Sequence, residues 1–308
     1  MSTTREAPRH LRRTITVTST HSMRRDSRRR RAATLLAGVA GVAAQLAVAA
    51  CAARPQTPPG LMVRHPDDSS KHVEYFVAKP TGAGPWPTIV FLHGHQDAPS
   101  AGGRIYVDNQ ALAGAASSGM LGVAVSVPGF GNSSGPDDFA GPFAAHGVEA
   151  VLDTLQRAGL AAPGKIVVLG VSLGAMTAGR VAIDRPTLAG VVMISGEYDL
   201  NDELTHPRST LARGLAQAAA DRLGGDSALV TRSLIHDGPR FHVPALILAG
   251  ANDDRTNPVQ GKALADSIVA HSGRARFVEY PGYGHQIPPS VRAAEIDAFV
   301  AQVLGRRN

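Results

Sequence analysis

Cysteine and aromatic residues are scarce in this sequence. It has one cysteine, Cys51, and aromatic residues make up 5% of its 308 residues. A single cysteine cannot close an internal disulfide, so the folded part must be stable through packing alone. A chain of this length can bury a core large enough for that, in one large domain or two small ones.

Positive charge is also scarce beyond the first fifty residues. The whole chain carries a net charge of +6, but residues 1–50 contain ten arginines and only two acidic residues. Residues 51–308 therefore carry a net charge of −2. They show no stripe of Lys and Arg with interleaved aromatic residues, so nucleic acid is not an expected partner.

The basic leader introduces an apolar segment. An arginine cluster at 24–31 precedes residues 32–50, which are almost wholly apolar and end in Ala49-Ala50 directly before Cys51. Positive, apolar and small residues in that order are typical of a secretory signal. The cysteine after the small residues resembles a bacterial lipobox, which implies cleavage before Cys51 and lipidation of its thiol.

Several alternatives for the leader stay open. The apolar segment is just long enough to be an uncleaved membrane anchor. Residues 1–22 are either an upstream mis-start, with Met23 as the true start, or an extension of the basic region. Ser27-Arg28-Arg29 loosely resembles a twin-arginine signal. In each case we expect the rest of the chain outside the cytoplasm, joined to the membrane by a lipid or an anchor, with Pro-rich residues 51–60 as a tether.

Strands and helices are predicted to alternate through residues 61–308, which we interpret as one domain. The predicted strands are Lys71–Ala78, Thr88–Leu92, Leu121–Val127, Lys165–Leu169, Leu188–Ile194, Ala245–Ala249 and Ala275–Tyr280. The predicted helices are Val107–Ser118, Phe143–Ala158, Leu173–Asp184, Pro258–His271 and Pro289–Leu304, and Lys79–Pro87 and Pro128–Pro142 are predicted to be loops. A mostly helical insert, Asn201–Gly238, precedes the strand at 245–249. This order predicts an α/β fold with a mostly parallel, doubly wound sheet, helices on both faces, and a site at the carboxyl ends of the strands.

The strongest chemical motif is Gly170-Val171-Ser172-Leu173-Gly174. It lies between a predicted strand and a predicted helix. A G-x-S-x-G pattern in that position is typical of a tight turn that raises the serine hydroxyl at the strand end, beside a helix N-terminus that favours developing negative charge. We therefore predict Ser172 as a nucleophile.

A serine nucleophile needs a base and a group that orients the base, in the chain order acid and then histidine. Asp253 follows the predicted strand 245–249, and His285 follows the predicted strand 275–280. We predict Asp253 as the acid and His285 as the base. The alternatives for the acid are Asp254, Glu197 and Asp199.

An oxyanion hole needs two backbone N–H groups aimed at the carbonyl oxygen. Leu173, directly after the nucleophile, is expected to supply one. His95 in the loop His93-Gly94-His95-Gln96 is expected to supply the other, with Gln96 as second choice. The pair His93 and His95 also fits a zinc-binding H-x-H, but no third ligand with suitable spacing is evident, so no metal is expected.

These residues resemble the α/β-hydrolase superfamily, and most closely its prolyl oligopeptidase and dienelactone-hydrolase-like branch. The resemblance rests on FLHGH at 91–95, GVSLG at 170–174, VPALILAGANDDRTNP at 243–258 and PGYGH at 281–285, and covers about residues 72–305. In oligopeptidase relatives the first aspartate of a D-D-R run is the catalytic one, which supports Asp253. The resemblance implies Ser/Asp/His acyl transfer without a cofactor.

The departures from this branch favour a carboxylic ester, with a small-molecule or short acyl substrate, over a peptide. No propeller domain and no Glu pair for an N-terminal amine are recognisable. The insert 201–238 is short and charged, unlike a lipase lid. Three alternatives remain: a serine peptidase similar to prolyl oligopeptidase, acyl transfer or perhydrolysis on the same residues, and a non-catalytic lipoprotein that uses the fold for binding.

Overall fold

The computed structural model describes residues 60–98 and 100–306. The predicted leader and its tether as far as residue 59, including Cys51, lie outside the described residues. Within the described residues, eight strands form one sheet in the order β1-β2-β4-β3-β5-β6-β7-β8. They are β1 (Leu61–Arg64), β2 (His72–Ala78), β3 (Trp86–Leu92), β4 (Leu121–Ser126), β5 (Ala161–Val171), β6 (Gly190–Ile194), β7 (Ala245–Gly250) and β8 (Ala275–Tyr280).

Nine α-helices occur in the same described residues. They are α1 (Ile105–Asp108), α2 (Ala111–Ser117), α3 (Pro142–Arg157), α4 (Leu173–Asp184), α5 (Leu200–Thr205), α6 (Thr210–Leu223), α7 (Asp226–Arg232), α8 (Pro258–Ala270) and α9 (Pro289–Leu304). None of the described helices is long and apolar enough to cross a membrane.

The sheet is mostly parallel, as predicted. Strand β2 pairs antiparallel with β1 and with β4, and the strands from β4 through β3, β5, β6, β7 and β8 all run in parallel. Parallel strands point their carboxyl ends to one edge. The loops after β3, β5, β7 and β8 therefore share that edge, and they carry the residues that the sequence marked for chemistry.

Side chains of the central strands alternate between two buried layers. In β3, Ile89 and Phe91 belong to one apolar cluster, and Val90 and Leu92 belong to the other. Helices α1, α2 and α9 cover the first face, and α3, α4 and α8 cover the second. Burial on both faces explains why the strands appear in the sequence as continuous apolar runs.

One predicted helix is wrong. The segment Val107–Ser118 is divided into α1 and α2, because Gln110 has a φ of 66°. A left-handed residue cannot continue a right-handed helix. The Asn109 side chain supports the break, since its Oδ1 accepts a hydrogen bond of 3.1 Å from the Ala111 N–H.

Three strand bounds also differ from the predicted ones. Strand β1 has no counterpart among the predicted elements, and β5 extends from 161 to 171 around the predicted 165–169. Strand β3 begins at Trp86, inside the predicted loop, because the Trp86 N–H donates to the Leu160 carbonyl at 2.8 Å. The ladder skips Pro87, which has no N–H to donate.

The predicted insert is present as helices α5, α6 and α7, between β6 and β7. Its helices begin with side-chain caps at two places. The Asp199 carboxylate accepts from the N–H groups of Asn201 and Asp202, and the Ser209 hydroxyl accepts from the Ala212 N–H. These caps satisfy N–H groups that have no partner within the helix.

Candidate active site

Ser172 occupies a strained turn between β5 and α4. Its φ is 56° and its ψ is −120°, in a region that residues with a side chain rarely adopt. Its N–H donates to the Ile194 carbonyl of β6 at 2.8 Å, which holds the turn against the sheet. The sequence predicted this strand–turn–helix arrangement.

Two glycines make the turn sterically feasible. A Cβ on Gly170 would strike the carbonyl group of Gly174, and a Cβ on Gly174 would strike the carbonyl oxygens of Leu92 and His93. The start of α4 therefore packs directly on the end of β3. This contact explains why the pattern needs glycine on both sides of the serine.

Asp253 and His285 form a buried hydrogen-bonded pair. The Nδ1 atom of His285 lies 3.1 Å and 3.0 Å from the two carboxylate oxygens of Asp253. The carboxylate also accepts from the N–H groups of Arg255 and Thr256, at 2.9 Å and 3.0 Å, and from the Thr256 hydroxyl at 2.8 Å. Burial opposes ionisation, but these hydrogen bonds, led by that from His285, outweigh it and the pKa of Asp253 is lowered.

Ser172 and His285 line one cleft of about 560 Å³ at the carboxyl edge of the sheet. His95 and Arg255 also line this cleft. Among the hydrogen bonds of the described residues, none joins the Ser172 hydroxyl to His285. Such contacts are often long in unliganded sites and shorten when a substrate binds.

The alternative acids make other contacts. Asp199 caps α5, and Asp254 is exposed. The Glu197 carboxylate accepts from the Asn257 N–H at 3.0 Å and is near enough to Glu203 for the charge of Glu203 to raise its pKa. Among these four acids, only Asp253 is hydrogen-bonded to His285 in the described part of the chain.

The Glu197–Glu203 pair joins the insert to the loop that carries Asp253. Burial raises the pKa of both carboxyl groups, and the charge of Glu203 raises that of Glu197 further. Both carboxyl groups therefore hold a proton more readily than an exposed glutamate does. The bond from the Asn257 N–H to Glu197 ties this buried acidic pair to the loop that carries Asp253.

Arg208, between α5 and α6, makes a second link to the same loop. Its Nε and Nη2 atoms donate to the backbone carbonyl of Asp253 at 3.2 Å and 3.0 Å. Sequence reasoning missed Arg208, Glu203 and Thr256, since nothing in their spacing marks them. The only signal was the charged character of the insert.

The loop after β3 lies against Ser172. A Cβ on Gly94 would lie 3.1 Å from the Ser172 Cβ, so only glycine fits there without displacing a neighbour. Among the described residues, the His95 N–H donates to no backbone or side-chain acceptor. The Leu173 N–H begins α4 and has no acceptor within the helix. The Gln96 N–H, the second choice, likewise donates to no backbone acceptor among the described residues, and the Gln96 side chain is hydrogen-bonded to Gly102 through both amide atoms.

His93 anchors this loop. The Val127 N–H donates to its Nε2 at 3.2 Å, so in the neutral ring the proton is on Nδ1, which donates to the Gly94 carbonyl at 2.8 Å. Both nitrogens are engaged, which leaves His93 without a lone pair for a metal and removes the H-x-H interpretation. The His95 ring lies apart, between the rings of Phe130 and Phe139.

The predicted site residues thus fall in three groups. Ser172, His285 and His95 meet at one cleft, and Asp253 lies behind His285. Leu173 begins the helix beside Ser172. Cys51 lies outside the described residues.

Comparison with known proteins agrees with this architecture. The sequence model of the "Alpha/beta hydrolase family" matches residues 89–236, just under half of the chain. No curated protein sequence matches. The protein has the α/β-hydrolase fold, and the family match and the structural neighbours both support the α/β-hydrolase superfamily.

The structural neighbours include peptidases and an esterase. A puromycin-hydrolyzing peptidase of Mycobacterium tuberculosis has a TM-score of 0.66 at 19% identity, over 81% of this chain and 40% of its own. An acylaminoacyl peptidase of Pyrococcus horikoshii has a TM-score of 0.64 at 16% identity, over 82% of this chain and 42% of its own. An esterase of the archaeon Pyrobaculum calidifontis has a TM-score of 0.62 at 18% identity, over 80% of this chain and 85% of its own. The chain therefore spans about two fifths of the length of these peptidases.

The environment of His93 predicts a pH dependence of stability. Burial lowers the pKa of His93 to about 4, from 6.5. The unfolded chain therefore takes up this proton first as the pH falls, and the folded state loses stability between about pH 6.5 and 4. The loss from this residue should reach roughly 3 kcal/mol.

Chemical denaturation at a series of pH values would measure this loss. We expect His93→Gln, whose Oε1 can accept from the Val127 N–H in place of Nε2, to be less stable at neutral pH but to lack this component. Other groups titrate in the same range, so the difference between the two proteins is the relevant quantity. Parallel curves for both proteins from pH 7 to 4 would contradict the assignment.

Proposed function

We propose that this protein is a serine hydrolase that acts outside the cytoplasm and cleaves a carboxylic ester through an acyl-enzyme on Ser172. The observation that carries the proposal is the buried Asp253–His285 pair, whose histidine lines the same cleft as a serine in a strained turn. Geometry of this kind gives a serine its base and gives the base its orientation.

Each residue has a defined role in the proposed reaction. The Ser172 Oγ attacks the acyl carbon, and its proton passes to the Nε2 of His285. Asp253 holds the other ring nitrogen, which fixes the tautomer and stabilises the imidazolium. The tetrahedral oxyanion accepts hydrogen bonds from the N–H groups of Leu173 and His95.

The reaction is then completed in two stages. The bond to the leaving alkoxide breaks as His285 returns the proton to it, which leaves an ester between Ser172 and the acyl group. His285 then takes a proton from water, which attacks that ester, and gives the proton to the Ser172 Oγ as the acid is released. No cofactor enters either stage.

The esterase with a similar fold supports an ester substrate. Peptidase activity is the second candidate, and the peptidase structures with similar folds favour it. Activity against aminoacyl p-nitroanilides well above that against p-nitrophenyl esters would decide for the peptidase.

Replacement of the nucleophile tests the mechanism. We expect Ser172→Ala and Asp253→Asn each to lower kcat for p-nitrophenyl butyrate by about 10³-fold or more, because the triad acts as a unit. Ser227→Ala changes an exposed serine of α7 and serves as the control. Retention of full activity by Ser172→Ala would exclude the proposed nucleophile.

A fluorophosphonate probe separates catalysis from binding alone. It should label the wild-type protein and the Ser227→Ala protein, but not Ser172→Ala. Correctly folded wild-type protein that is neither labelled nor active on esters would instead indicate the non-catalytic lipoprotein.

The proposed location outside the cytoplasm rests on the leader, residues 1–50. The arginine cluster, the apolar segment and Ala49-Ala50-Cys51 support export followed by lipidation of Cys51. Expression in a bacterium with labelled palmitate should label the wild-type protein, and Cys51→Ser should abolish the label. An N-terminus at residue 51 is expected for a lipoprotein. An unlabelled, full-length, membrane-bound wild-type protein would show an uncleaved anchor instead.

A further inference from the structure

A second cavity adjoins the cleft that contains Ser172. It has a volume of about 430 Å³ and lies between α2 and α9, on the face of the sheet that these helices cover. Tyr106, Asn109, Pro289 and Arg292 line both cavities, so the second opens directly from the cleft. We call it the lateral groove.

The lateral groove exists because the side chains that α2 directs towards it are small. The residues that α2 and its end present to it are Ala111, Gly114, Ala115 and Ser118, spaced as one helix face. A Cβ placed on Gly114 would meet no atom within 4 Å. The opposite wall is formed by Ala293 and Ile296 of α9, and the floor is formed by apolar side chains of the sheet.

The lining of the lateral groove is suited to an apolar chain. Phe91, Leu169 and Ile194 form its floor near the cleft, and Met120 lies towards the amino ends of the strands. From Pro289 to Asp297 the wall formed by α9 is about 12 Å long. An apolar chain that fills such a surface gains the free energy of removing both surfaces from water.

Arg292 stands where the lateral groove meets the cleft, and it has no anionic partner among the described residues. Its guanidinium forms no hydrogen bond and no ion pair within the described residues. Burial lowers its pKa, because a buried cation loses part of its hydration. The titratable groups near it are Tyr106 and Tyr280, which are neutral at ordinary pH.

Acidic residues border both cavities without pairing with Arg292. Asp97 lines the cleft and is exposed, and Asp297 lines the lateral groove about one and a half turns further along α9. Neither forms an ion pair with Arg292 among the described residues. A half-buried cation that lacks a partner is costly for the free protein, and an anionic ligand removes that cost.

We infer that Arg292 and the lateral groove bind the substrate, and that the substrate is an ester carrying a carboxylate near the scissile carbonyl together with an apolar chain. The inference rests on the proposed function, since it places the scissile carbonyl at Ser172. Arg292 binds the carboxylate at the junction, because a guanidinium matches the two carboxylate oxygens. The apolar chain extends from the junction between α2 and α9.

Four esters separate the two parts of this inference. Mono-octyl glutarate has both the carboxylate and the chain, and methyl octyl glutarate has the carboxylate masked. Monoethyl glutarate has the carboxylate without the chain, and ethyl methyl glutarate has neither. The value of kcat/KM is measured from the release of octanol or ethanol. Its ratio between the free acid and the methyl ester reports on the carboxylate, and its ratio between the octyl and the ethyl ester reports on the apolar chain.

We expect the wild-type protein to prefer the free carboxylate by about 10- to 100-fold, the range for a hydrogen bond to a charged group. Arg292→Gln should reduce this ratio to near one, and Arg292→Lys should retain part of it. Arg157→Gln changes an exposed arginine at the end of α3 and should leave the ratio unchanged.

Substitutions in α9 test whether the apolar chain of the substrate binds in the lateral groove. We expect the wild-type protein to prefer octyl to ethyl esters by about 10-fold or more, from the apolar area buried. Ala293→Phe fills the lateral groove and should remove that preference. Ala294→Phe is the matched control, because it places the same side chain one position further along α9, at an exposed residue that does not line the lateral groove.

The outcomes distinguish this inference from the proposed function. Hydrolysis of ethyl methyl glutarate with both wild-type ratios near one overturns the inference and leaves the serine hydrolase intact. Ratios that persist in Arg292→Gln and Ala293→Phe also overturn it. If no ester is cleaved, the proposed function fails, and calorimetric titration of mono-octyl glutarate into wild-type and Arg292→Gln protein still decides: tighter binding to the wild type supports the site, and equal binding or none overturns it.

Discussion

The close contact between the start of α4 and the end of β3 holds the site together. Gly174 packs against the carbonyl groups of Leu92 and His93, and Gly94 packs against Ser172. Ser172 has a φ of 56° in this closely packed turn, a conformation that persists only where the surroundings hold it. The same contact sets the position of the loop that carries His95. One packing constraint therefore fixes both the serine and the N–H group expected to stabilise its oxyanion.

The acid side of the site depends on the insert. Arg208 donates twice to the Asp253 carbonyl, and the Glu197–Glu203 pair holds the Asn257 N–H at the end of the same loop. Thr256, directly before Asn257, donates from its hydroxyl to the Asp253 carboxylate. Through Arg208 the insert thus contacts the backbone of the residue that is hydrogen-bonded to His285.

Much of the fold could be predicted from the sequence because its signals are local. Buried parallel strands appear as apolar runs such as residues 88–92, and the order of strands and helices determines which edge carries the site. Ser172, Asp253 and His285 were found by their places after strands, and the structure brings them to one edge. The α/β-hydrolase fold was predicted correctly from this order together with the motifs that resemble the superfamily.

The features that the sequence could not predict depend on distant contacts or on single backbone angles. The break at Gln110 is one residue in a left-handed conformation inside a segment that favours helix. Arg208 contacts Asp253 across 45 positions, and no spacing rule connects them. Arg292 is an ordinary residue of an amphipathic pattern until its surroundings are known. The roles of Ser172, Asp253, His285 and the oxyanion residues remain predictions, and the hydrogen bonds between Asp253 and His285 agree with them.

The two histidines near Ser172 differ in what a proton can do to them. His93 is buried, is hydrogen-bonded through both nitrogens and has a pKa near 4, so it stays uncharged through the neutral range. His285 gains and loses a proton in every proposed turnover. The loop that presents the His95 N–H is therefore held by a histidine that keeps its charge state in the neutral range. Its anchoring contacts to Gly94 and Val127 do not depend on the proton that His285 is proposed to exchange.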